Sequence, residues 1–250
     1  MRELENKAIL VTGAGSGIGR ASAVAIARAG GLLVLADINR AAVLETAELI
    51  SGSETQVLVL DGDIAAPTHC QALVDLAVER FGRLDGAFNN AGIESPMARI
   101  AEADELDWDR SIAVNLKGVW LCLRSELRQM ERQKCGAIVN TASVGGLVAV
   151  PNNACYAAAK HGVIGLTRTA AVEYVGSGIR VNAVCPGLTK SAMTKRLAEA
   201  DPGLMQSVMP PMKRMAEPEE IAEVVVFLLS ERASYLTGQA IAIDGAATAV

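Results

Sequence analysis

A hydroxyl, a phenol and an amine follow one another in a short stretch of the sequence, SVGGLVAVPNNACYAAAK, which begins at Ser143. Tyr156 comes thirteen residues after Ser143, and Lys160 comes four residues after Tyr156. The Ala-rich run around the last two predicts a helix, on which an i,i+4 pair shares one face with Cβ atoms about 6 Å apart. An ammonium at that distance favours the tyrosinate, so we expect Lys160 to lower the pKa of Tyr156. Tyr156 is therefore a candidate general acid/base and Ser143 a candidate oxyanion donor, while a solvated helix face is the alternative.

This chemistry needs a cofactor, and a glycine-rich stretch near the N-terminus offers a site for one. TGAGSGIG lies between an apolar run and a helix-like run and holds Gly13, Gly15, Gly17 and Gly19. Glycines in such a turn let backbone N–H groups approach a pyrophosphate, and the helix N-terminus adds partial positive charge. Glycines also mark ordinary turns, which is the alternative here. The position between a strand and a helix favours the phosphate loop.

An acidic residue at the end of the next apolar run indicates which cofactor binds. Asp37 lies 18 residues after Gly19, where a carboxylate accepts hydrogen bonds from both ribose hydroxyls of an adenosine. The same carboxylate repels a 2′-phosphate, and neither Ser16 nor Ile38 supplies the cation that an NADP site needs. Arg40 is a partial counter-argument, although a solvated arginine at a helix start is the simpler interpretation. NAD is therefore favoured over NADP.

The composition excludes several classes of protein. Of the 250 residues, 51% are hydrophobic and 20% are charged, as in globular proteins. The net charge of −5 and the lack of a Lys/Arg cluster argue against nucleic-acid binding. The apolar runs are too short to span a membrane, and no secretory segment opens the chain. The five cysteines show no C-x-x-C spacing, so we expect reduced thiols, a cytoplasmic location and no metal site.

Short apolar runs alternate with helix-like segments and define the elements that must position these residues. Strands are predicted at 7–12, 31–37, 56–60, 84–88, 137–140, 179–184 and 240–243. Helices are predicted from the glycine-rich loop to residue 30, around Tyr156, and at 40–50, 68–80, 104–133 and 219–230. The alternation predicts a single α/β domain over residues 1–250, with a parallel sheet covered by helices on both faces. Residues from about 190 to 215 are rich in Pro, Met, Lys and Arg, and are predicted to form an irregular substrate-loop insertion.

Five motifs occur in the order typical of the short-chain dehydrogenase/reductase (SDR) family, which the chain resembles over essentially its whole length. They are the glycine-rich loop, Asn89-Asn90-Ala91-Gly92, Asn115 within VNLKG, Ser143 with Tyr156-x-x-x-Lys160, and Pro186-Gly187. The resemblance implies a Rossmann-type, doubly wound sheet of seven parallel strands in the order 3-2-1-4-5-6-7. It also implies a homotetramer.

The resemblance further assigns roles to individual residues. It implies a catalytic set of Asn115, Ser143, Tyr156 and Lys160, in which Lys160 also binds the nicotinamide ribose. Asn115 would lie at a local kink of its helix and hold a water that links Lys160 to solvent. The implied cofactor-binding residues are Gly13, Gly15, Ser16, Gly17, Ile18, Gly19, Asp37, Asp63, Ile64, Asn90, Ala91, Gly92, Tyr156, Lys160, Pro186, Gly187, Thr189 and Ser191. Without the resemblance, Asp61-Gly62-Asp63 is better interpreted as a turn with a capping carboxylate.

The predicted function is NAD-dependent interconversion of a secondary alcohol and a ketone. Candidate substrate contacts are Ser143, Gly145, Asn153 and Tyr156, and the small and aliphatic residues of the neighbouring loops favour a small apolar or cyclic alcohol. A 3-oxoacyl-[acyl-carrier-protein] reductase is one alternative, against which the lack of NADPH-favouring basic residues weighs. A redox-silent ligand-binding protein is another, against which the intact catalytic set weighs.

Overall fold

Seven parallel strands form the central sheet of the computed structural model, which describes residues 2–51, 55–200 and 202–249. The strands are β1 (Ala8–Thr12), β2 (Leu32–Ala36), β3 (Val57–Val59), β4 (Gly86–Asn89), β5 (Gly136–Thr141), β6 (Ile179–Pro186) and β7 (Ala240–Ile243). They lie in the order β3-β2-β1-β4-β5-β6-β7, and each pair of neighbours is parallel. The predicted seven-stranded parallel sheet and its order are confirmed.

Nine helices of the described residues pack around the sheet. They are α1 (Gly17–Arg28), α2 (Arg40–Ile50), α3 (Pro67–Phe81), α4 (Glu105–Ile112), α5 (Val119–Gln133), α6 (Ala154–Tyr174), α7 (Ala192–Ala200), α8 (Pro202–Ser207) and α9 (Pro218–Leu229). Helix α2 begins and ends at the predicted residues, and α3 extends one residue beyond its prediction at each end. None of the helices in these ranges carries an apolar stretch long enough to cross a bilayer.

Both faces of the sheet are buried, which explains why its strands are continuous apolar runs rather than alternating ones. Ile9 and Leu33 point to the face covered by α1, α2 and α9, whereas Leu10 and Val34 point to the face covered by α3, α5 and α6. Neighbouring strand residues face opposite sides of a sheet, so each apolar run supplies two cores at once. The residues that follow the strands lie outside these two cores, at the carboxyl ends of the strands.

The segment from Asp104 to Gln133 is not the single uninterrupted helix that its pattern predicts. Asp104 caps α4 by accepting a hydrogen bond from the backbone N–H of Leu106 at 2.7 Å. Residues Ala113–Gly118 then form a π-helical segment that joins α4 to α5. A π-turn is a local departure that hydropathy does not reveal, and such turns occur frequently at functional sites. Asn115 lies inside it, in agreement with the local kink that the family resemblance implies.

The predicted irregular insertion at about 190–215 contains two short helices, so that prediction is wrong for much of its length. Helix α7 coincides with AMTKRLAEA, a run made mostly of strong helix formers. The hydroxyl of Ser191 accepts a hydrogen bond from the backbone N–H of Thr194 at 3.1 Å and caps this helix. The prolines and methionines around this run favoured the prediction of an irregular segment over that of a helix.

Candidate active site

The predicted site residues follow the carboxyl ends of the strands and therefore meet at one edge of the sheet. The chain connections run in opposite directions from β1 and β4, because β1 leads outward to β2 and β4 leads outward to β5. Open α/β sheets bind ligands in the crevice at such a switch point. The glycine-rich loop, the segment Asn89–Gly92, Ser143 and Pro186-Gly187 all lie at this edge.

The glycine-rich loop is too tightly packed to hold side chains at two of its positions. A Cβ atom added to Gly19 would lie 2.0 Å from the carbonyl oxygen of Gly13. A Cβ atom on Gly13 would lie 2.8 Å from the Cα of Ala91, and Gly13 itself has a left-handed φ of +63°. The loop is thus folded against the backbone that follows β4, as a phosphate loop requires.

The N-terminus of α1 is open toward the loop. Ser16 is the N-cap in extended conformation, but its side chain makes no capping hydrogen bond, and the first turn contains no acidic residue. The backbone N–H groups there lack a side-chain acceptor, and the helix dipole favours an anion. Ile18 packs into the core beneath. These features fit the pyrophosphate of a dinucleotide cofactor.

Asp37 is tied to the glycine-rich loop. Its Oδ2 accepts a hydrogen bond from the backbone N–H of Gly15, and its Oδ1 accepts one from that of Asn39, both at 2.9 Å. Each carboxylate oxygen keeps a lone pair for a further donor, such as a ribose hydroxyl. The Arg40 guanidinium, the counter-argument for NADP, donates to Asp61 at 2.5 Å. The negative charge of Asp37 beside the loop is therefore not paired with Arg40.

Asp63 and Ile64 follow β3 at the same edge. The Asp63 carboxylate accepts from the backbone N–H of Ala65 at 2.8 Å, as the turn interpretation predicts for one of its oxygens. The Ile64 carbonyl accepts from the thiol of Cys70 at 3.2 Å, and that thiol lies 3.5 Å from the thiol of Cys122. The adenine contacts implied by the resemblance stay predictions.

Threonine hydroxyls brace the segment that follows β4. Thr12, the last residue of β1, accepts from the backbone N–H groups of Asn90 and Ala91 at 3.0 and 3.1 Å. The Asn90 amide donates to the carbonyl of Gly13 at 3.3 Å. Thr141 donates from its hydroxyl to the side-chain oxygen of Asn90, also at 3.3 Å. The two loops that flank the crevice are held together from below.

Ser143, Tyr156 and Lys160 come together as predicted. The Ser143 hydroxyl lies close enough to the Tyr156 phenol to lower its pKa, and the Lys160 ammonium lies 5.6 Å from the centre of the Tyr156 ring. Lys160 is 3% exposed and donates to the carbonyl of Thr141 at 2.7 Å. The alternative of a solvated helix face is therefore wrong for this pair. A Cβ atom on Gly145 would lie 3.5 Å from both the Ser143 hydroxyl and the Tyr156 ring.

The pKa of Tyr156 does not follow the sequence prediction. Burial raises the pKa of the phenol, the hydrogen bond with Ser143 lowers it in part, and the nearby Cys185 thiol raises it further. Burial also lowers the pKa of Lys160 to about 8. The predicted net lowering of the Tyr156 pKa is wrong for the protein alone, because low-dielectric surroundings disfavour the charged forms of both residues. Tyr156 is a phenol at neutral pH.

Asn115 anchors the backbone beside Lys160. Its side chain accepts from the N–H of Ile93 at 2.8 Å and donates to the carbonyl of the same residue at 3.0 Å. A Cβ atom on Gly92 would lie 2.9 Å from the Asn115 side-chain oxygen and 3.7 Å from the Lys160 nitrogen. The buried amide thus holds residues 92 and 93 in place. The bound water that the resemblance implies stays a prediction.

The loop after β6 completes the crevice. Pro186 is the last residue of β6, and the N–H of Gly187 donates to the Ile243 carbonyl at 3.0 Å. Thr189 is 4% exposed, which suits a contact through its backbone. A Cβ atom on Gly17 would lie 3.5 Å from the Cβ of Ser191, so this loop touches the phosphate loop. The Ser191 hydroxyl is engaged in capping α7, which weakens its predicted carboxamide role.

A cleft of about 420 Å³ opens beside Gly92. It is lined by Gly92, Ile93, Glu94, Ser95, Pro96, Arg110 and Arg196. Arg196, on α7, donates to the Glu94 carboxylate at 2.9 Å across the mouth of the cleft. Asn153, a predicted substrate contact, is the N-cap of α6, and its buried side-chain oxygen has no partner among the described residues. A smaller cleft, lined by residues such as Lys7 and Arg180, holds none of the predicted site residues.

Several residues that shape the site were missed by sequence reasoning. Thr12 and Thr141 end β1 and β5, and a hydroxyl directly at a strand end next to a motif is the signal that could have found them. Arg20 donates to the carbonyl of Gly15 at 2.5 Å and to the hydroxyl of Thr46 at 3.0 Å, so it braces the phosphate loop from behind. Nothing local in the sequence indicates those two contacts.

A buried polar network lies beneath the site. Asn89 donates from its amide to Glu126 at 2.9 Å and to Asn140 at 3.0 Å, and Asn140 donates to Thr167 at 2.9 Å. Glu126 has no exposed surface, and burial raises its pKa to about 7. One oxygen of Glu126 and the side-chain oxygen of Asn89 have no donor in the structure. Protonation of Glu126 would remove the buried negative charge from this network.

Comparison with known proteins places the chain beside alcohol oxidoreductases. A family model described as enoyl-(acyl carrier protein) reductase matches residues 13–248. Levodione reductase of Leifsonia aquatica is 42% identical, over 98% of this chain and 95% of its own length. Cyclohexanol dehydrogenase of Acinetobacter sp. (strain SE19) is 41% identical, over 98% of this chain and 96% of its own length. The crystal structure of NAD⁺-bound xylitol dehydrogenase superposes with a TM-score of 0.93 at 33% identity, covering 97% of this chain and 99% of that one.

Proposed function

Since the chain belongs to the short-chain dehydrogenase/reductase family and is an oxidoreductase of alcohols and ketones, we propose that it works with NAD and uses Tyr156 as its general acid/base. The observation that carries the proposal is that Ser143, Tyr156 and Lys160 lie close together at the same carboxyl edge of the sheet as the glycine-rich loop. The substrate is a small cyclic secondary alcohol or the corresponding ketone, as in the levodione and cyclohexanol enzymes.

The choice of NAD is supported by charge and by a structural neighbour. Asp37 keeps a free lone pair on each oxygen for ribose hydroxyls, and its negative charge repels a 2′-phosphate. Arg40 forms an ion pair with Asp61, which offsets its positive charge. The neighbouring xylitol dehydrogenase structure contains NAD⁺. The pyrophosphate would lie on the open N-terminus of α1, above the glycine-rich loop.

Bound NAD supplies the hydride acceptor, and its reduced form supplies the hydride donor. The protein supplies the proton and holds the substrate oxygen. Tyr156 gives its phenol proton to the oxygen of a ketone during reduction and takes the hydroxyl proton of an alcohol during oxidation. The hydroxyl of Ser143 donates a hydrogen bond to the same oxygen, and the Lys160 ammonium stabilises the tyrosinate when it forms. Asn115 holds the backbone of Ile93 in place through two hydrogen bonds.

Replacing Tyr156 tests the assigned acid/base role. We expect Tyr156→Phe to reduce kcat/KM by at least about 100-fold, the usual contribution of a positioned acid or base, while leaving NADH binding within about twofold. Turnover would be followed by NADH absorbance, and binding by NADH fluorescence. Tyr174→Phe, at the far end of the same helix α6, is the matched control and should retain full activity. A Tyr156→Phe protein with more than about a tenth of the activity would refute the role.

Replacing Asp37 tests the cofactor preference separately. Asp37→Ala removes the negative charge that opposes a 2′-phosphate, so we expect the ratio of kcat/KM for NAD over NADP to fall by about tenfold or more. Asp75→Ala, an exposed carboxylate on α3, is the control. An unchanged ratio in the Asp37 variant would remove the argument for NAD while leaving the reaction type intact.

The proposal includes a single 1–250 domain, a homotetramer and a cytoplasmic location. The last two rest on the family and on five cysteines that are all free. Exposed apolar side chains support assembly, since Trp120 on α5 is 42% exposed and Val172 on α6 is 79% exposed. Size-exclusion chromatography coupled to light scattering would measure the mass of the assembly directly. A monomer across micromolar concentrations would contradict the tetramer.

A further inference from the structure

We propose that the cleft beside Gly92 binds a carboxylate carried by the substrate, so that the enzyme acts on an alicyclic hydroxy acid or oxo acid. The inference rests on the proposed function and names the substrate class of the same site. Its volume of about 420 Å³ lies in the range of small-molecule sites. The carboxylate would lie away from the reacting carbon, toward the charged part of the lining.

The cleft adjoins the reacting groups through its floor. Gly92 and Ile93 line it, and the side chain of Asn115 holds the backbone of Ile93 at both its N–H and its carbonyl. The position of a Cβ atom on Gly92 is 3.7 Å from the nitrogen of Lys160. The Lys160 nitrogen is in turn 5.6 Å from the centre of the Tyr156 ring, so the cleft lies beside a ring whose hydroxyl carbon is bound at Tyr156.

The lining carries more positive than negative charge. Arg110 and Arg196 oppose the single carboxylate of Glu94, which Arg196 already engages at 2.9 Å. Arg110 forms no ion pair with any described residue, and the acidic residues of its own helix α4 do not line the cleft. The Ser95 hydroxyl is also without a hydrogen-bond partner among the described residues, although the residue is 8% exposed. The lining thus has unused donors and no unused acidic group.

An anionic group is the ligand chemistry that this lining fits. The planar guanidinium of arginine matches the two oxygens of a carboxylate, and the match is specific in geometry as well as charge. The pair between Glu94 and Arg196 ties α7 to the loop after β4 and leaves Arg110 as the free partner. Arg110 is exposed at the cleft, where its guanidinium can bind a carboxylate that enters.

The test compares substrates that differ only in charge. With NAD and the full-length protein, kcat/KM would be measured for 4-hydroxycyclohexanecarboxylate and for its methyl ester, which share the ring and the reacting carbon. We expect the acid to be preferred by at least about tenfold, near the lower end for hydrogen bonds to charged groups. Arg110→Gln should reduce that preference by about tenfold, mainly through KM. Arg80→Gln, an exposed arginine on α3 outside the cleft, should leave the preference unchanged.

Two further measurements keep the outcome decisive. The preference of the unaltered protein for the acid should fall as salt concentration rises, because salt screens a partly exposed pair. An equal rate for acid and ester, or an equal loss of both in Arg110→Gln, would overturn the inference while the proposed function stands. If no alcohol or ketone turns over, the proposed function fails. Thermal stabilisation of the NAD-loaded protein by the acid but not by the ester would then still support the carboxylate site, and stabilisation by neither would overturn it.

Discussion

Glu126 is an ionisable group in the middle of the fold that takes no part in the proposed reaction. Its replacement tests how burial affects its ionisation and the stability of the protein. The carboxyl group has no exposed surface, and among the described residues its one donor is the amide of Asn89. Glu126→Gln keeps the size and the hydrogen-bond acceptor. It also replaces one carboxylate oxygen with an NH2 group, so the buried negative charge is removed. The variant therefore imitates the protonated acid at every pH.

The size of the effect follows from the pKa. Burial raises the pKa of Glu126 to about 7 from its usual 4.5. At about 1.4 kcal/mol per pKa unit, the difference corresponds to about 3 kcal/mol of unfolding free energy. Because the folded-state pKa is the higher one, this stability is present below about pH 4.5 and is lost as pH rises through about 7. The variant loses nothing over that range, so its advantage grows across the range and is complete above about pH 7.

The assay is thermal unfolding of both proteins at a fixed concentration from about pH 5 to about pH 8.5, with circular dichroism as the signal. For a chain of this length, about 3 kcal/mol corresponds to a Tm difference of about 6–12 °C in favour of the variant at the alkaline end. At the acid end, the two Tm values should nearly coincide. Glu131→Gln, an exposed residue on the same helix α5, is the control and should show no such trend. A Tm difference that is constant across the pH range would refute the argument.

Two other outcomes follow from the site. Burial raises the pKa of Tyr156, so its phenol remains protonated and can serve as the proton donor for ketone reduction through neutral pH. Alcohol oxidation needs the tyrosinate, so its rate should increase from about pH 7 to about pH 10. Rate profiles measured in both directions would check this, and an oxidation rate independent of pH would contradict it. Gly19→Ala should abolish NADH binding, since its Cβ would lie 2.0 Å from the carbonyl of Gly13. Gly165→Ala in α6, where a Cβ meets nothing within 4 Å, should stabilise the protein by about 0.5–1 kcal/mol. Equal NADH titrations for these two variants would show that the loop is not the cofactor site.

The predictable part of the fold depended on short-range patterns. Each strand was recognised as an apolar run, and helix α2 was located to the residue, because periodicity and helix propensity act within a few neighbours. The π-helical segment Ala113–Gly118 was not predicted from its own residues. It departs from the α-helix where Asn115 bonds to Ile93, a residue 22 positions earlier in the chain. No local pattern records such a partner.

The candidate site shows the same division. Glycine spacing, the position of Asp37 and the Tyr-x-x-x-Lys spacing identified the residues that meet at the sheet edge. The threonines that brace them, and the position of Arg20 behind the loop, depend on contacts between strands and helices far apart in sequence. Ser191 was assigned to the cofactor by its place after Pro186-Gly187, yet its hydroxyl caps α7. A hydroxyl can serve either purpose, and only its neighbours in space decide which.

The sequence by itself determined the chemistry that is possible in this protein: a phenol and an amine on one helical face, a hydroxyl before them, and a glycine-rich turn to receive a cofactor. The tertiary structure decided how those groups ionise and what surrounds them. Burial reversed the expected direction of the Tyr156 pKa, brought the Lys160 pKa down to about 8 and raised that of Glu126 to about 7. The tertiary structure also brought together Glu94, Arg110 and Arg196, which lie up to 102 residues apart, to form the charged cleft. Desolvation and long-range charge depend on how the elements stack, and spacing along a chain carries no record of either.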